Sequence, residues 1–116
     1  MLNDIKKILK INTEVEELFI SKGLKKHLIK HKHYSVLKYF DKIEDIVNNP
    51  DYIGRNPNEG KTSFECVKIL DKNLLVAVKL DLKKSYFYVA SFYEITDSKL
   101  KKMLKSGRLK KLELDK

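Results

Sequence analysis

The three histidines of this chain lie within seven residues, in the stretch HLIKHKHY at positions 27 to 34. His27 and His31 are four residues apart, so on a helix they share one face, and His33 follows two residues later. Histidine has a reference pKa of about 6.5, so a pair of histidines can exchange protons near neutral pH. A closed zinc site needs about four ligands, and a single cysteine with few carboxylates near this helix disfavours such a site. Solvated side chains on a lysine-rich helix are the alternative.

A strong excess of positive charge accompanies these histidines. Lys and Arg total 25 against 16 Asp and Glu, which gives a formal net charge of +9. Such an excess favours polyanions through counterion release, so nucleic acid comes first among the expected partners. Arg55 and Arg108, the two arginines, are candidates for bidentate phosphate contacts. The alternative is that the lysines only solvate helix faces.

The length and residue types limit the class of protein. A chain of 116 residues predicts one domain over 1–116. The sequence shows no secretory signal and no apolar run near the roughly 20 residues that a bilayer requires, so we expect a soluble protein without a membrane partner. Cys66, the single cysteine, cannot form an internal disulfide, and its apolar surroundings predict that it packs in the sheet. We therefore expect a reducing compartment, the cytoplasm. The commonest phosphate-binding, hydrolase and metalloprotease motifs are absent, and we expect no cofactor and no metal.

Two different periodicities predict the elements that position these residues. Helical spacing of apolar residues predicts helices over 2–11, 21–31, 35–49 and 96–107, while 16–21 is ambiguous between strand and helix. Alternating residues rich in β-branched and aromatic types predict strands over 63–70, 74–81 and 85–95, with a short edge strand near 51–54. The order predicts an α+β fold in which N-terminal helices pack on an antiparallel meander of about four strands, followed by a C-terminal basic helix.

Strand register decides which polar side chains share a face. A two-residue turn at 72–73 places Ile69 opposite Val76 and puts Lys68 beside Lys79 on the polar face. Two adjacent lysines repel each other unless an anion lies between them. The other face then carries Val67, Ile69, Val76, Val78 and Leu80.

The next loop determines where the last long strand points its side chains. A three-residue loop at 82–84 sends Ser91 and Tyr93 to the lysine face, and Tyr88, Ala90 and Phe92 to the apolar face. An even-length loop reverses this assignment. The first register predicts a polar face that carries Lys68, Lys79, Ser91 and Tyr93.

Four motifs in the same order resemble a known group of nucleases. NPDYIG, VAVKLD, YFYVASFYEI and SGRLKK are similar to segments of the phage- and mobile-element-associated barnase/EndoU/colicin/RelE-like (PBECR-type) domains, over roughly residues 20–111. The resemblance implies N-terminal helices on an antiparallel sheet and metal-independent ribonuclease activity. Some members of the group serve as toxins or as domains of phage polyvalent proteins.

The same resemblance implies roles for individual residues. EndoU-type members use two histidines, a lysine and a Ser/Thr-x-Tyr pair, which are matched by His27, Lys79, Ser91 and Tyr93. The second histidine falls at Lys32 in this chain, so its neighbours His31 and His33 are the candidates.

We therefore expect an RNA endonuclease that cleaves by 2′-hydroxyl attack and leaves a 2′,3′-cyclic phosphate. Histidines transfer the protons and Lys79 stabilises the transition state, while Lys68, Arg55 and Arg108 bind substrate. RNA is the expected partner, and a toxin or mobile-element effector would also have a neutralising antitoxin or immunity protein. The rival hypothesis is a non-catalytic RNA- or protein-binding module that retains the nuclease fold.

Overall fold

The fold consists of a six-stranded sheet with helices on both faces. The computed structural model describes residues 2–31, 34–60 and 62–112. The helices are α1 (Leu2–Ile8), α2 (Lys22–Lys30), a 3-10 helix (Tyr34–Lys42), α3 (Ile43–Asn48) and α4 (Asp97–Lys105). The strands are β1 (Leu18–Phe19), β2 (Tyr52–Gly54), β3 (Phe64–Ile69), β4 (Asn73–Asp81), β5 (Tyr86–Ile95) and β6 (Leu109–Lys111). His33 lies outside the described residues, so its role stays a prediction.

The predicted α+β class is correct, but the predicted count of about four strands is wrong. The strand order is β1-β5-β4-β3-β2-β6, with the strands from β2 to β5 paired antiparallel in sequence order. Short β1 pairs parallel to β5, which makes the sheet mixed. At the other edge β6 follows Gly107, whose φ of +83° turns the chain back onto β2, so β2 is not an edge strand. The three-residue strand β2 was predicted near 51–54, but β1 and β6, of two and three residues, carry too little alternation to be predicted.

The predicted helix over 35–49 is divided in two. Its first part is the 3-10 helix, a segment rich in aromatic and β-branched residues that have lower helix propensity. Only Ile43–Asn48 is α-helical, with Ile43, Ile46 and Val47 buried.

Each face of the sheet packs against helices. On one face, which we call the main face, Phe64, Phe87 and Phe92 pack in one cluster with buried residues of α1, α2, the 3-10 helix and α3. On the opposite face, the α4 face, Leu100 and Met103 of α4 pack against Val67, Leu75 and Ile95. Thr96 is the N-cap of α4, and its Oγ1 accepts a hydrogen bond from the Lys99 backbone N–H.

The register between β3 and β4 differs from the predicted one. Ile69 lies opposite Asn73, not opposite Val76, so residues 70–72 form the turn. Asn73 belongs to the strand because its buried amide donates hydrogen bonds to the Ile95 carbonyl at 3.2 Å and to Asp97 Oδ1 at 2.7 Å. The slip of three residues changes which side chains share a face.

As a result, the two sheet lysines lie on opposite faces, and the prediction that they lie side by side is wrong. Lys68 pairs with Leu74 and shares the main face with Cys66. Lys79 shares the α4 face with Leu75 and Ala77, which pack in the same apolar cluster as Leu100 and Met103 of α4.

A β-bulge in β5 decides where Ser91 and Tyr93 point. The β4–β5 loop spans the four residues 82–85, the even length that by itself would move both side chains to the main face. However, Ala77 pairs with Ser91 while Val78 pairs with Val89, so Ala90 is an extra residue in β5. The bulge reverses the alternation once more. Ser91 and Tyr93 therefore share the α4 face with Lys79, as predicted, while Tyr88 lies opposite Lys79 and not on the apolar face.

Gly54 permits β6 to approach β2. In the sheet it lies between Glu65 of β3 and Leu109 of β6. A Cβ atom at position 54 would lie 1.7 Å from the Arg108 carbonyl oxygen and 2.7 Å from its carbonyl carbon. No side chain fits there, because both atoms belong to the backbone.

We predict that Gly54→Ala lowers the free energy of unfolding by about 2–3 kcal/mol, since β2 and β6 must separate to admit the methyl group. Gly60→Ala is the matched control, because a Cβ atom at position 60 meets no atom within 4 Å. Urea denaturation of both variants measures the difference. Equal midpoints for the two variants would contradict the close packing of β6 on β2.

Candidate functional site

Three of the predicted site residues line one cavity on the α4 face. Lys79, Ser91 and Tyr93 contribute to a cavity of about 210 Å³, which we call the Lys79 cavity. The strands form its floor and the loop between β2 and β3 contributes to its wall. Its other lining residues are Asn56, Glu59, Ser63, Phe64, Glu65, Ala77, Val78 and Ala90.

A buried ion pair forms one side of this cavity. Glu65, only 3% exposed, accepts two hydrogen bonds from Arg108, from Nε and from Nη2, each 2.8 Å long. This planar, bidentate geometry is the strongest form of a carboxylate–guanidinium pair. The hydrogen bonding that Arg108 donates to Glu65 raises the pKa of Arg108. The pair joins the second residue of β3 to the residue that precedes β6.

The electrostatics of this side keep the Tyr93 phenol protonated. Burial raises the pKa of Tyr93, and the nearby negative charge of Glu65 raises it further, while Arg108 opposes both effects. The Lys99 ammonium lies 5.6 Å from the centre of the Tyr93 ring, in a cation–π arrangement. At neutral pH Tyr93 is therefore a neutral hydroxyl that can donate a hydrogen bond.

Lys79 occupies a more exposed part of the cavity. Its Nζ lies 3.2 Å from Glu59 Oε2, and both side chains are 39% exposed. Glu59 belongs to the loop between β2 and β3, not to the sheet. A pair exposed to this degree contributes little to stability because water screens it, so another anion can replace the carboxylate at Lys79.

Lys68 does not contribute to the Lys79 cavity. On the main face its Nζ lies 3.4 Å from Asp51 Oδ1, and the other oxygen of Asp51 accepts a hydrogen bond from the Ile69 backbone N–H. The lysine therefore fixes the end of β3 to the start of β2. Its predicted substrate contact was based on a shared face with Lys79, which the register does not provide.

His27 on α2 and His31 at its C-terminal end lie outside the Lys79 cavity. Their rings share one side of α2, with centroids 4.3 Å apart, and both residues are exposed. His27 lines a groove of about 280 Å³ together with Tyr88, Val89 and Ala90 of β5, which we call the His27 groove. Ala90, the bulge residue, lines both the groove and the Lys79 cavity. The His27 groove and the Lys79 cavity therefore adjoin at the bulge.

Arg55 does not line the Lys79 cavity. It lines a cavity of about 480 Å³ with Gly54, Gly107, Arg108 and other residues, which we call the Arg55 cavity. Arg55 Nη2 donates a hydrogen bond to the Leu9 carbonyl. The structure therefore groups the predicted arginines in one cavity and the predicted lysine, serine and tyrosine in another.

Two further geometric findings concern metals and membranes. Within residues 2–31, 34–60 and 62–112, no three or more His, Cys, Asp or Glu side chains are grouped so that they could hold a metal ion. Across the same ranges no helix is long and apolar enough to span a bilayer. Cys66 is fully buried on the main face, and burial raises the pKa of its thiol, consistent with the predicted packing role.

Glu65, the buried carboxylate of the cavity, was not among the site residues predicted from the sequence. A signal existed, because a glutamate between Phe64 and Cys66 in an apolar strand is rarely buried without a partner. Nothing in the sequence paired it with Arg108, which lies 43 positions away. The loop residues Asn56, Glu59 and Ser63 were also missed, since irregular loops carry no periodic pattern.

Comparison with known proteins assigns the family. The family model described as phage-Barnase-EndoU-ColicinE5/D-RelE like nuclease3 (PBECR3) matches residues 1–102. The chain belongs to this nuclease family, which confirms the resemblance seen in the sequence motifs and implies a nucleic-acid substrate. The matched range includes every lining residue of the Lys79 cavity, while Arg108, the partner of Glu65, lies beyond it. No curated protein and no solved structure matches significantly.

The two glutamates of the cavity provide a matched prediction. We expect Glu65→Gln to lower the free energy of unfolding by about 2–3 kcal/mol, because it removes the carboxylate and leaves Arg108 partly buried without its counterion. Glu59→Gln, in the exposed pair, should cost less than about 1 kcal/mol. Urea denaturation at neutral pH measures both. Equal, small losses would mean that the buried pair does not hold the site together.

Proposed function

We propose that this protein is a metal-independent endoribonuclease that uses the Lys79 cavity. The observation that carries the proposal is the grouping of Lys79, Ser91 and Tyr93 in one cavity of a chain from a nuclease family. The net charge of +9 supports attraction of a polyanion. In the proposed reaction the 2′-hydroxyl of the substrate attacks the adjacent phosphorus. The 5′-oxygen of the next nucleotide then leaves, and a 2′,3′-cyclic phosphate remains.

Lys79 stabilises the negative charge that develops on the phosphorane. Its present partner, Glu59, is exposed and lies on a loop, so a substrate phosphate replaces a weak pair. The cation is already in position before the reaction, and such preorganised charge is commonly the largest contribution to catalysis.

Ser91 and Tyr93 orient the phosphate. Both side chains point to the Lys79 side because of the bulge at Ala90. Tyr93 stays protonated, since burial and Glu65 raise its pKa, and a phenol O–H donates to a phosphate oxygen without adding repulsion. The Tyr93 ring also offers a surface on which an unpaired base can stack.

His27 transfers protons from the adjoining groove. It lines the β5 bulge from the side of α2, and Ala90 is common to its groove and the cavity. An RNA strand that crosses the bulge would bring its reacting oxygens between His27 and Lys79. His31, whose ring contacts that of His27, serves as the second proton-transfer group in this proposal, with His33 as the alternative.

The proposal predicts that the protein cleaves RNA in the presence of EDTA and yields a 2′,3′-cyclic phosphate. Lys79→Ala should lower kcat/KM by about 100-fold, and His27→Ala by about 100-fold or more. Lys72→Ala is the charge-matched control, because Lys72 pairs with Glu94 at the β3–β4 turn and lines no part of the cavity. Mass spectrometry of the products and initial rates measure these effects.

Two results would contradict the proposal. One is cleavage that persists when the substrate carries 2′-deoxyribose at every position, since this removes the attacking oxygen. The other is wild-type activity in the Lys79→Ala, His27→Ala double variant. Salt-sensitive RNA binding without any cleavage would favour the rival hypothesis of a non-catalytic binding module.

As part of the same proposal, the protein acts as a toxin on RNA in the cytoplasm and is held inactive by an antitoxin or immunity protein. Expression of the wild type should then arrest growth of a bacterial host, and His27→Ala should relieve the arrest at the same protein level. Arrest by both proteins would separate the toxicity from the proposed chemistry.

A further inference from the structure

A second cavity, of about 480 Å³, lies outside the proposed catalytic cavity. This Arg55 cavity adjoins the Lys79 cavity through the Glu65–Arg108 pair, because Glu65 lines one and Arg108 lines the other. Its lining residues are Leu9, Gly54, Arg55, Pro57, Ser106, Gly107, Arg108 and Lys110. Three of them are cationic, and none of these described lining residues carries a carboxylate. The charge of the cavity therefore suits an anion.

The hydrogen bonding of the arginines supports an anionic occupant. Arg55 is held in place through Nη2 and the Leu9 carbonyl, yet its Nε is buried without a hydrogen-bond partner in the parts of the chain that the structure describes. A buried donor without an acceptor is costly, and an anion in the cavity that Arg55 lines would stabilise this guanidinium through its charge. Arg108 uses Nε and Nη2 for Glu65, so that pair leaves its third nitrogen, Nη1, for another acceptor.

Two of the lining residues are glycines, which add no side chain to the cavity wall. Gly54 and Gly107 both line it, and a Cβ atom at position 107 would project into space with no atom within 4 Å. On β6, Lys110 lines the cavity while its neighbour Lys111 does not. Adjacent strand residues point to opposite sides, so the two lysines differ mainly in their access to the cavity.

We propose that the Arg55 cavity is a second phosphate subsite, which binds the phosphate of an RNA strand next to the one held in the Lys79 cavity. This inference rests on the proposed function for the identity of the strand. It adds that the protein recognises at least two consecutive phosphates and prefers a polynucleotide to a dinucleotide. The Glu65–Arg108 pair separates the two subsites and supplies a guanidinium edge to the second.

The test measures binding, so it does not depend on cleavage. Two non-cleavable 2′-O-methyl oligonucleotides are compared by fluorescence anisotropy, a dinucleotide with one phosphate and a trinucleotide with two. A third probe carries a neutral methylphosphonate in place of the second phosphate, which separates the charge from the extra base. Three proteins are compared: the wild-type chain and the variants Lys110→Gln and Lys111→Gln. The two variants have the same net charge.

We expect the wild type to bind the trinucleotide more tightly than the dinucleotide and than the methylphosphonate probe. Lys110→Gln should reduce this gain in affinity about fivefold, the loss expected for one phosphate contact. Lys111→Gln should bind the trinucleotide with the full gain. Inorganic phosphate at millimolar concentration should weaken trinucleotide binding by the wild type more than dinucleotide binding, since it competes for the second subsite.

Three outcomes would overturn the inference. One is equal affinity of the wild type for all three probes, and another is an equal loss in the two lysine variants on every probe. The third is a gain from the trinucleotide that survives in the methylphosphonate probe, which would assign it to base stacking. A protein that shows the expected pattern but never cleaves RNA would retain the second subsite while the proposed nuclease activity fails.

Discussion

The bidentate pair between Glu65 and Arg108 is the interaction on which the rest of the site depends. A carboxylate in the centre of a sheet loses its hydration, and a guanidinium with matched geometry is a partner that compensates for that loss. To reach Glu65, Arg108 must pass the position of β2 between them, which a glycine, Gly54, occupies. The same pair closes β6 onto the sheet, influences the protonation of Tyr93 and separates the two cavities.

The second constraint is the bulge at Ala90. It is a single extra residue in β5, and it decides on which face of the sheet the last part of the strand displays its side chains. Without it, Ser91 would lie on the main face among apolar residues, and Lys79 would lack its polar neighbours. The bulge also lies where the groove beside His27 meets the cavity. Bulges commonly re-aim side chains next to active sites, and the position of this one agrees with that role.

Local patterns predicted the elements better than the arrangement between them. The long strands and the two long α-helices followed from alternation and spacing. The shared face of Lys79, Ser91 and Tyr93 agrees with the prediction only because the bulge at Ala90 offsets a loop one residue longer than predicted. The place of Lys68 did not, because Asn73 enters the strand through hydrogen bonds to residues more than twenty positions away. The role of Glu65 likewise depends on a distant arginine, and short strands such as β6 carry no periodic signal. Interactions between distant residues, not propensities, decided these points.

The central claim is that RNA is cleaved in the cavity lined by Lys79, Ser91 and Tyr93. The most direct test is a crystal structure of the wild-type protein with a non-cleavable 2′-O-methyl RNA oligonucleotide. We predict a phosphate within hydrogen-bond distance of Lys79 Nζ, in place of Glu59, with the adjoining ribose facing His27. An oligonucleotide bound only along the lysines of α4, with Lys79 still paired to Glu59, would contradict this account.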